Sequence, residues 1–74
     1  MKIKHTFNNF NYEFEIKSDA IDIVFRTTAT TYNGWEHPIK NGKIVWYDAS
    51  TEFLDLTPEI IQFAEKLVKN RVFV

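Results

Sequence analysis

Cysteine is absent from this chain of 74 residues, and glycine and proline occur only twice each. Without cysteine the chain has no disulfide framework, no thiolate nucleophile and no cysteine-based zinc site, which fits a reducing compartment. No long apolar run follows the first residues, so the sequence predicts neither a signal peptide nor a transmembrane helix. The expected location is therefore the cytoplasm.

Linkers, internal repeats and blocks of like charge are missing as well. Their absence predicts one domain over residues 1–74, with strands within 2–47 and a helix at about 58–70. Nine Lys and Arg against ten Asp and Glu give a net charge of -1, so the whole chain does not attract phosphate backbones or anionic lipid. We therefore expect no membrane partner. A chain this short needs nearly all of its large apolar residues in one core, which leaves little room for an active site.

Alternation of apolar and polar residues predicts three strands at the start of the chain. Residues 2–7 and 10–16 alternate strictly, and a two-residue turn at Asn8-Asn9 would place Lys4 opposite Glu13. The same register, continued across a second turn, makes these apolar pairs: Ile3 with Phe14, His5 with Tyr12, Phe7 with Phe10, Ile16 with Ile21, Phe14 with Ile23, and Tyr12 with Phe25.

Two Asn-Gly dipeptides, Asn33-Gly34 and Asn41-Gly42, are the preferred sequence for type I′ hairpin turns. They predict two further hairpins. The third strand would then run over residues 20–32, a short fourth over about 35–40, and a fifth over 43–47. Pro38 cannot donate to a ladder, so the fourth strand is expected to be irregular or at an edge.

The last element predicted is an amphipathic helix. Thr57 suits the N-cap, Pro58 suits the first helical position, and apolar residues recur on one stripe over 58–70. Residues 48–56 form either a helical turn or a packed loop. The fold class is therefore α+β, an antiparallel β-meander of three to five strands with one C-terminal helix packed on its apolar face. The predicted core contains Ile3, Phe7, Phe14, Ile23, Phe25, Ile61, Ala64, Leu67 and Val68.

A set of mostly aromatic residues lies, by strand parity, on the face opposite this core. In one interpretation, a bulge within residues 27–31 reverses the parity, so that the set turns inward and completes the core. In the other, the sheet is regular and the exposed set is a surface for a partner protein or for self-association. The residues of this predicted interaction surface are Tyr32, Trp35, His37, Ile39, Ile44 and Trp46.

No arrangement of residues indicates catalysis. The histidines, His5 and His37, are not part of a metal-ligand motif, and Ser18 and Ser50 occur in turn-like surroundings without an oxyanion motif. His5 is expected to be a hydrogen-bonded core residue and His37 a loop or edge residue. We therefore expect no catalytic, cofactor-binding or metal residues.

Single-stranded nucleic acid is the alternative ligand, because sheet aromatics can stack on unpaired bases. The order of strands then helix, with Ile21-Asp22-Ile23 and Leu56-Thr57-Pro58-Glu59 at comparable places, resembles the transcriptional coactivators that bind single-stranded DNA. That family carries a dense basic surface, which this chain lacks, so no binding residue is carried over from it. The aromatics concerned are Tyr32, Trp35, Trp46 and Tyr47, with Lys40, Lys43 and Arg26 near them in sequence.

The sequence favours a small, non-enzymatic protein-interaction module that binds another protein, or itself as a homodimer, through the predicted interaction surface. Seven lysines against two arginines indicate an AT-rich coding genome. This usage is typical of low-GC bacteria and many phages, where such a chain would serve as an accessory protein.

Overall fold

Five antiparallel strands and two helices make up the part of the chain that the structure describes. This computed structural model describes residues 2–7, 10–26 and 32–70. The sheet order is β1-β2-β3-β4-β5, which confirms the predicted α+β meander. Neither described helix is long and apolar enough to cross a membrane. In chain order the elements are β1 (Lys2–Phe7), β2 (Phe10–Ile16), β3 (Ala20–Arg26), β4 (Tyr32–Lys40), β5 (Lys43–Ile44), α1 (Asp48–Phe53) and α2 (Pro58–Asn70).

The predicted registers of the first three strands are confirmed. Ile3 lies opposite Phe14, and Tyr12 lies opposite both His5 and Phe25. On the other face of the sheet, the Lys4 ammonium lies 3.6 Å from the Glu13 carboxylate. The turn predicted at Asn8-Asn9 falls outside the described residues.

The hairpin predicted at Asn33-Gly34 is wrong. Both residues lie inside β4, where Asn33 is opposite Phe25 and Gly34 is opposite Val24. Accordingly, β3 ends at Arg26 rather than near residue 32. The dipeptide preference is overridden because β4 forms seven residue pairs with β3, and a turn at Gly34 would leave most of them unmade.

The β3–β4 register also decides the face of the aromatic residues. Trp35 lies opposite Ile23, and His37 lies opposite Ile21, whose side chain is fully buried. Opposed residues of an antiparallel pair share a face, so Trp35 and His37 point towards the core. Of the two interpretations, the one in which the set turns inward is therefore confirmed for these two residues, and their placement on the opposite face is wrong. The bulge proposed for residues 27–31 lies outside the described residues.

The second Asn-Gly hairpin is confirmed. Asn41 and Gly42 have φ values of 54° and 77°, as a type I′ turn requires, and Ile39 pairs with Ile44. β5 stops at Ile44 instead of continuing to residue 47. The Val45 N–H still donates to the Pro38 carbonyl oxygen at 2.8 Å, and Tyr47 then serves as the N-cap of α1.

The helical layer covers the inner face of the sheet. The Thr57 hydroxyl accepts a hydrogen bond from the Ile60 N–H at 3.4 Å, so the predicted N-cap is confirmed. Residues 48–53 are helical and Leu54 is fully buried, which resolves the ambiguous segment. Of the predicted core, Ile3, Ile61 and Leu67 are only partly buried. Buried apolar residues that were not predicted are Tyr12, Ala20, Ile21, Ile44, Leu54, Leu56 and Ile60.

The hydroxyl of Tyr12 ties this layer to the sheet. It donates to the carbonyl oxygens of Leu54 and Asp55, each at 3.0 Å, between the two helices. Burial, and secondly the Asp55 carboxylate, raise the pKa of Tyr12 to about 12, so the phenol keeps its proton. The Tyr12 side chain therefore attaches the connection between α1 and α2 to the sheet.

The two glycines give a direct test of the strand and turn assignments. Gly42→Ala should lower the free energy of unfolding by about 1–2 kcal/mol, because its φ of 77° strains any residue with a Cβ. Gly34→Ala should be neutral or stabilise by up to about 1 kcal/mol, because a strand glycine is entropically costly. Its added Cβ would meet Val24 Cγ2 at 3.5 Å, an ordinary contact. Urea denaturation measures the free energy of unfolding of both variants. A larger loss of stability in Gly34→Ala than in Gly42→Ala would contradict the β3–β4 register.

Candidate functional site

The residues of the predicted interaction surface come together at β4 and the chain that follows it. His37 is 0% exposed and Ile44 is 7% exposed, so both belong to the core. Trp35, Ile39 and Trp46 are partly buried and pack against that core. Tyr32 begins β4 opposite Arg26, and its side chain lies outside the described residues.

A buried hydrogen-bonded pair, His37 and Ser50, joins β4 to α1. Ser50 is also 0% exposed, and its hydroxyl donates to the Tyr47 carbonyl oxygen at 2.9 Å. Since the hydroxyl has one proton, its oxygen accepts the second bond, from His37 Nε2–H at 2.8 Å. The expectation of a turn serine is therefore wrong, whereas His37 lies on the stretch of β4 that pairs with β3 alone among the described strands, with its side chain buried. Both are structural anchors.

The protonation state of His37 follows from these contacts. Nε2 carries the proton, and Nδ1 has no hydrogen-bond partner among the described residues. Burial lowers the pKa of His37, and the Asp22 carboxylate offsets this in part. A serine nucleophile needs its proton directed at the imidazole, whereas Ser50 directs it at a carbonyl group. The pair is therefore arranged to hold α1 and not to activate Ser50.

The Tyr47 carbonyl oxygen is the fixed start of α1. Besides the Ser50 hydroxyl, it accepts hydrogen bonds from the Thr51 hydroxyl and the Thr51 N–H, both at 3.0 Å. At the other end, the N–H of Leu54 donates to the Ser50 carbonyl oxygen at 2.9 Å. Asp55 then takes a φ of 53°, the left-handed geometry that ends many helices. This short helix is therefore held at both ends.

Two large apolar side chains on this segment remain exposed, Tyr47 at 42% and Phe53 at 48%. The Phe53 ring meets Trp35 edge-on at 5.7 Å, and the Tyr47 ring stacks over His37 at 6.5 Å. We call Trp35, Tyr47 and Phe53 the aromatic surface. Sequence reasoning missed Phe53 because it left residues 48–56 undecided. In a helix, Ser50 and Leu54 are one turn apart and share a face. With that face turned inward, Phe53 points outward.

Acidic residues flank the aromatic surface along the chain. No Lys or Arg occurs between Lys43 and Lys66, while Asp48, Glu52, Asp55 and Glu59 all fall in this stretch. All four are exposed. None forms an ion pair with another described residue.

The remaining candidates lie elsewhere. His5 is exposed and stacks on Phe63 at 4.7 Å, so the expectation of a core histidine is wrong. The described residues contain no group of three or more His, Asp or Glu that could hold a metal ion. Arg26, one of the cations considered for nucleic acid, pairs with Glu13 at 3.1 Å on the outer face of the sheet.

Comparison with protein-family models, with curated proteins and with solved structures finds no match to this chain. The function is therefore inferred from the geometry and charge of the site itself.

The anchoring role of Ser50 is tested by two hydroxyl deletions. Ser50→Ala should lower the free energy of unfolding by about 1–3 kcal/mol, because it leaves the buried His37 Nε2–H without an acceptor. Thr51→Ala removes a donor to the same Tyr47 carbonyl oxygen at a position that is only partly buried, and should cost less than about 1 kcal/mol. Chemical denaturation compares the two. Equal losses would contradict the buried pair.

The same pair predicts acid sensitivity. Because the pKa of His37 is lowered in the folded protein, the unfolded chain binds more protons below the ordinary value of about 6.5. Stability should therefore be complete above about pH 6.5 and decline as the pH falls below it. Denaturation midpoints between pH 7.5 and 5.5 measure the slope, which His37→Gln should flatten. His5→Gln, at an exposed histidine, is the control, and an unchanged slope in His37→Gln would refute the assignment.

Proposed function

We propose that this protein is a small, non-enzymatic interaction module that binds a partner protein through the aromatic surface. The observation that carries the proposal is Phe53, an aromatic side chain left 48% exposed on an anchored helix. A chain of this size needs its apolar residues inside, so an exposed aromatic group beside a partly buried tryptophan favours a contact role. The same proposal includes that the protein is a cytoplasmic accessory protein of a phage or a low-GC bacterium.

The charge around the aromatic surface indicates the kind of partner. Asp48, Glu52 and Asp55 are exposed around it and lack ion-pair partners among the residues described. A partner that presents apolar side chains within a rim of Lys or Arg would bury the rings and meet the carboxylates. We therefore expect a basic, apolar protein surface. Phosphate backbones would meet repulsion here, which argues against nucleic acid at this site.

Rigidity also favours binding. The His37–Ser50 pair fixes the start of α1, and the Tyr12 hydroxyl fixes the chain just after Phe53. A surface already held in one geometry loses little conformational entropy when a partner binds.

A peptide titration tests the proposal. A synthetic peptide of alternating Lys and Leu should bind and change the tryptophan fluorescence through Trp35, whereas a Glu/Leu peptide of equal length should not bind. Phe53→Ala should weaken binding of the Lys/Leu peptide by about tenfold or more, because it removes the most exposed ring of the aromatic surface. Phe10→Ala is the matched control, since Phe10 is also exposed, at 38%, but packs on Phe25 of β3 and forms no ring contact with the aromatic surface among the described residues.

Two results would overturn this assignment. Equal affinities of the wild type and Phe53→Ala would remove the aromatic surface from the contact. Binding of a thymidine oligonucleotide at low salt, with an affinity that falls steeply as salt is added, would instead support the nucleic-acid alternative.

A further inference from the structure

A groove lies between the β4–β5 hairpin and α2. It has a volume of about 470 Å³ and is lined by residues 41–44 of the hairpin and by Glu65, Val68 and Lys69 of α2. Ile44 and Val68, buried at 7% and 4% exposure, form its apolar floor. Lys43 and Lys69 are exposed at its rim.

Positive charge in this region is not neutralised. Lys40 and Lys43 lie directly opposite each other across the hairpin, an arrangement of like charges that destabilises a sheet. Neither lysine, nor Lys69, forms an ion pair with a described residue. The nearby Glu65 carboxylate accepts a hydrogen bond from the Trp46 indole N–H at 3.3 Å. Of these lysines, Lys43 and Lys69 line the groove, and two cations beside an apolar floor suit a ligand with carboxylates and apolar groups.

The chain itself carries such a surface. The aromatic surface combines exposed rings with carboxylates that form no ion pair in the described part of the chain. Phe53 contacts Trp35, whereas the groove begins at Ile44, opposite Ile39. Positions 35 and 39 are roughly 13 Å apart along a strand, so the two surfaces of one molecule occupy different places on β4. Contact between them requires two molecules.

We propose that the groove receives the aromatic surface of a second copy of this chain. Phe53 and Tyr47 of one copy lie over the apolar floor of the other, with the Glu52 carboxylate beside Lys43. This inference rests on the proposed function, and it identifies the basic, apolar partner surface as the groove of a second copy. Because two different surfaces meet, the contact either repeats from copy to copy in a ring or an open chain, or is made twice, reciprocally, in a two-fold dimer.

Light scattering coupled to size exclusion tests the association. The mass of the wild type should rise with protein concentration at 50 mM salt. The association constant should fall about tenfold or more at 500 mM salt, because exposed charges are then screened.

Charge reversal identifies the surfaces in contact. Lys43→Glu and Glu52→Lys should each reduce association by tenfold or more, because each variant opposes like charges at its own contact. An equimolar mixture of the two should associate again, since the altered surfaces complement each other. The control is Lys2→Glu, which makes the same charge change as Lys43→Glu at an exposed position on β1. It should leave association intact. Circular dichroism verifies that all variants are folded.

The outcomes separate this inference from the proposed function. A wild type that stays monomeric at every concentration and salt overturns self-association, while the peptide titration still decides whether the aromatic surface binds protein. Association that is lost in Glu52→Lys but unchanged in Lys43→Glu overturns the role of the groove.

Discussion

The pairing of β3 with β4 is the constraint on which the rest of the structure depends. Its register sets His37 opposite Ile21 and Trp35 opposite Ile23, and so brings a histidine into the core. A shift of one residue would turn every side chain of β4 to the other face of the sheet. Ser50 would then have no imidazole to accept from, and α1 would have no anchor at its first turn. The position of Phe53 thus follows from pairing made many residues earlier in the chain.

Local features of the sequence allowed the first half of the fold to be predicted. The prediction for β4 was wrong because its pairing with β3 is a nonlocal feature. The β1–β2 register followed from two-residue alternation and from charge pairs such as Lys4 with Glu13, which both act between neighbouring strands. The C-terminal helix followed from its cap and stripe. Asn33-Gly34 has the same turn preference as Asn41-Gly42, and only the competing ladder with β3 distinguishes them. The candidate site was only partly found, because the exposure of Phe53 depends on which side of α1 meets the sheet.

Segregation of charge gives the molecule a polarity that its net charge of -1 conceals. On the outer face of the sheet, Glu13 pairs with Lys4 and Arg26, while Lys17 bridges Asp22 and Glu36. These charges pair with one another. The carboxylates around α1 and the lysines beside the groove have no such partners among the described residues, and they occupy separate regions of opposite sign. Both the proposed function and the self-association derive from this separation.

The meander order has a consequence for folding kinetics. Each strand pairs with its neighbour in sequence, so the sheet can form through a series of short loop closures, which are fast. The hydrogen bonds from the Tyr12 hydroxyl join residues 42 and 43 positions apart, and they form only when the helical layer docks. We therefore expect a transition state in which the sheet is structured and α1 is not. The aromatic surface is then the last part of the molecule to assemble and the first to be lost in partial unfolding.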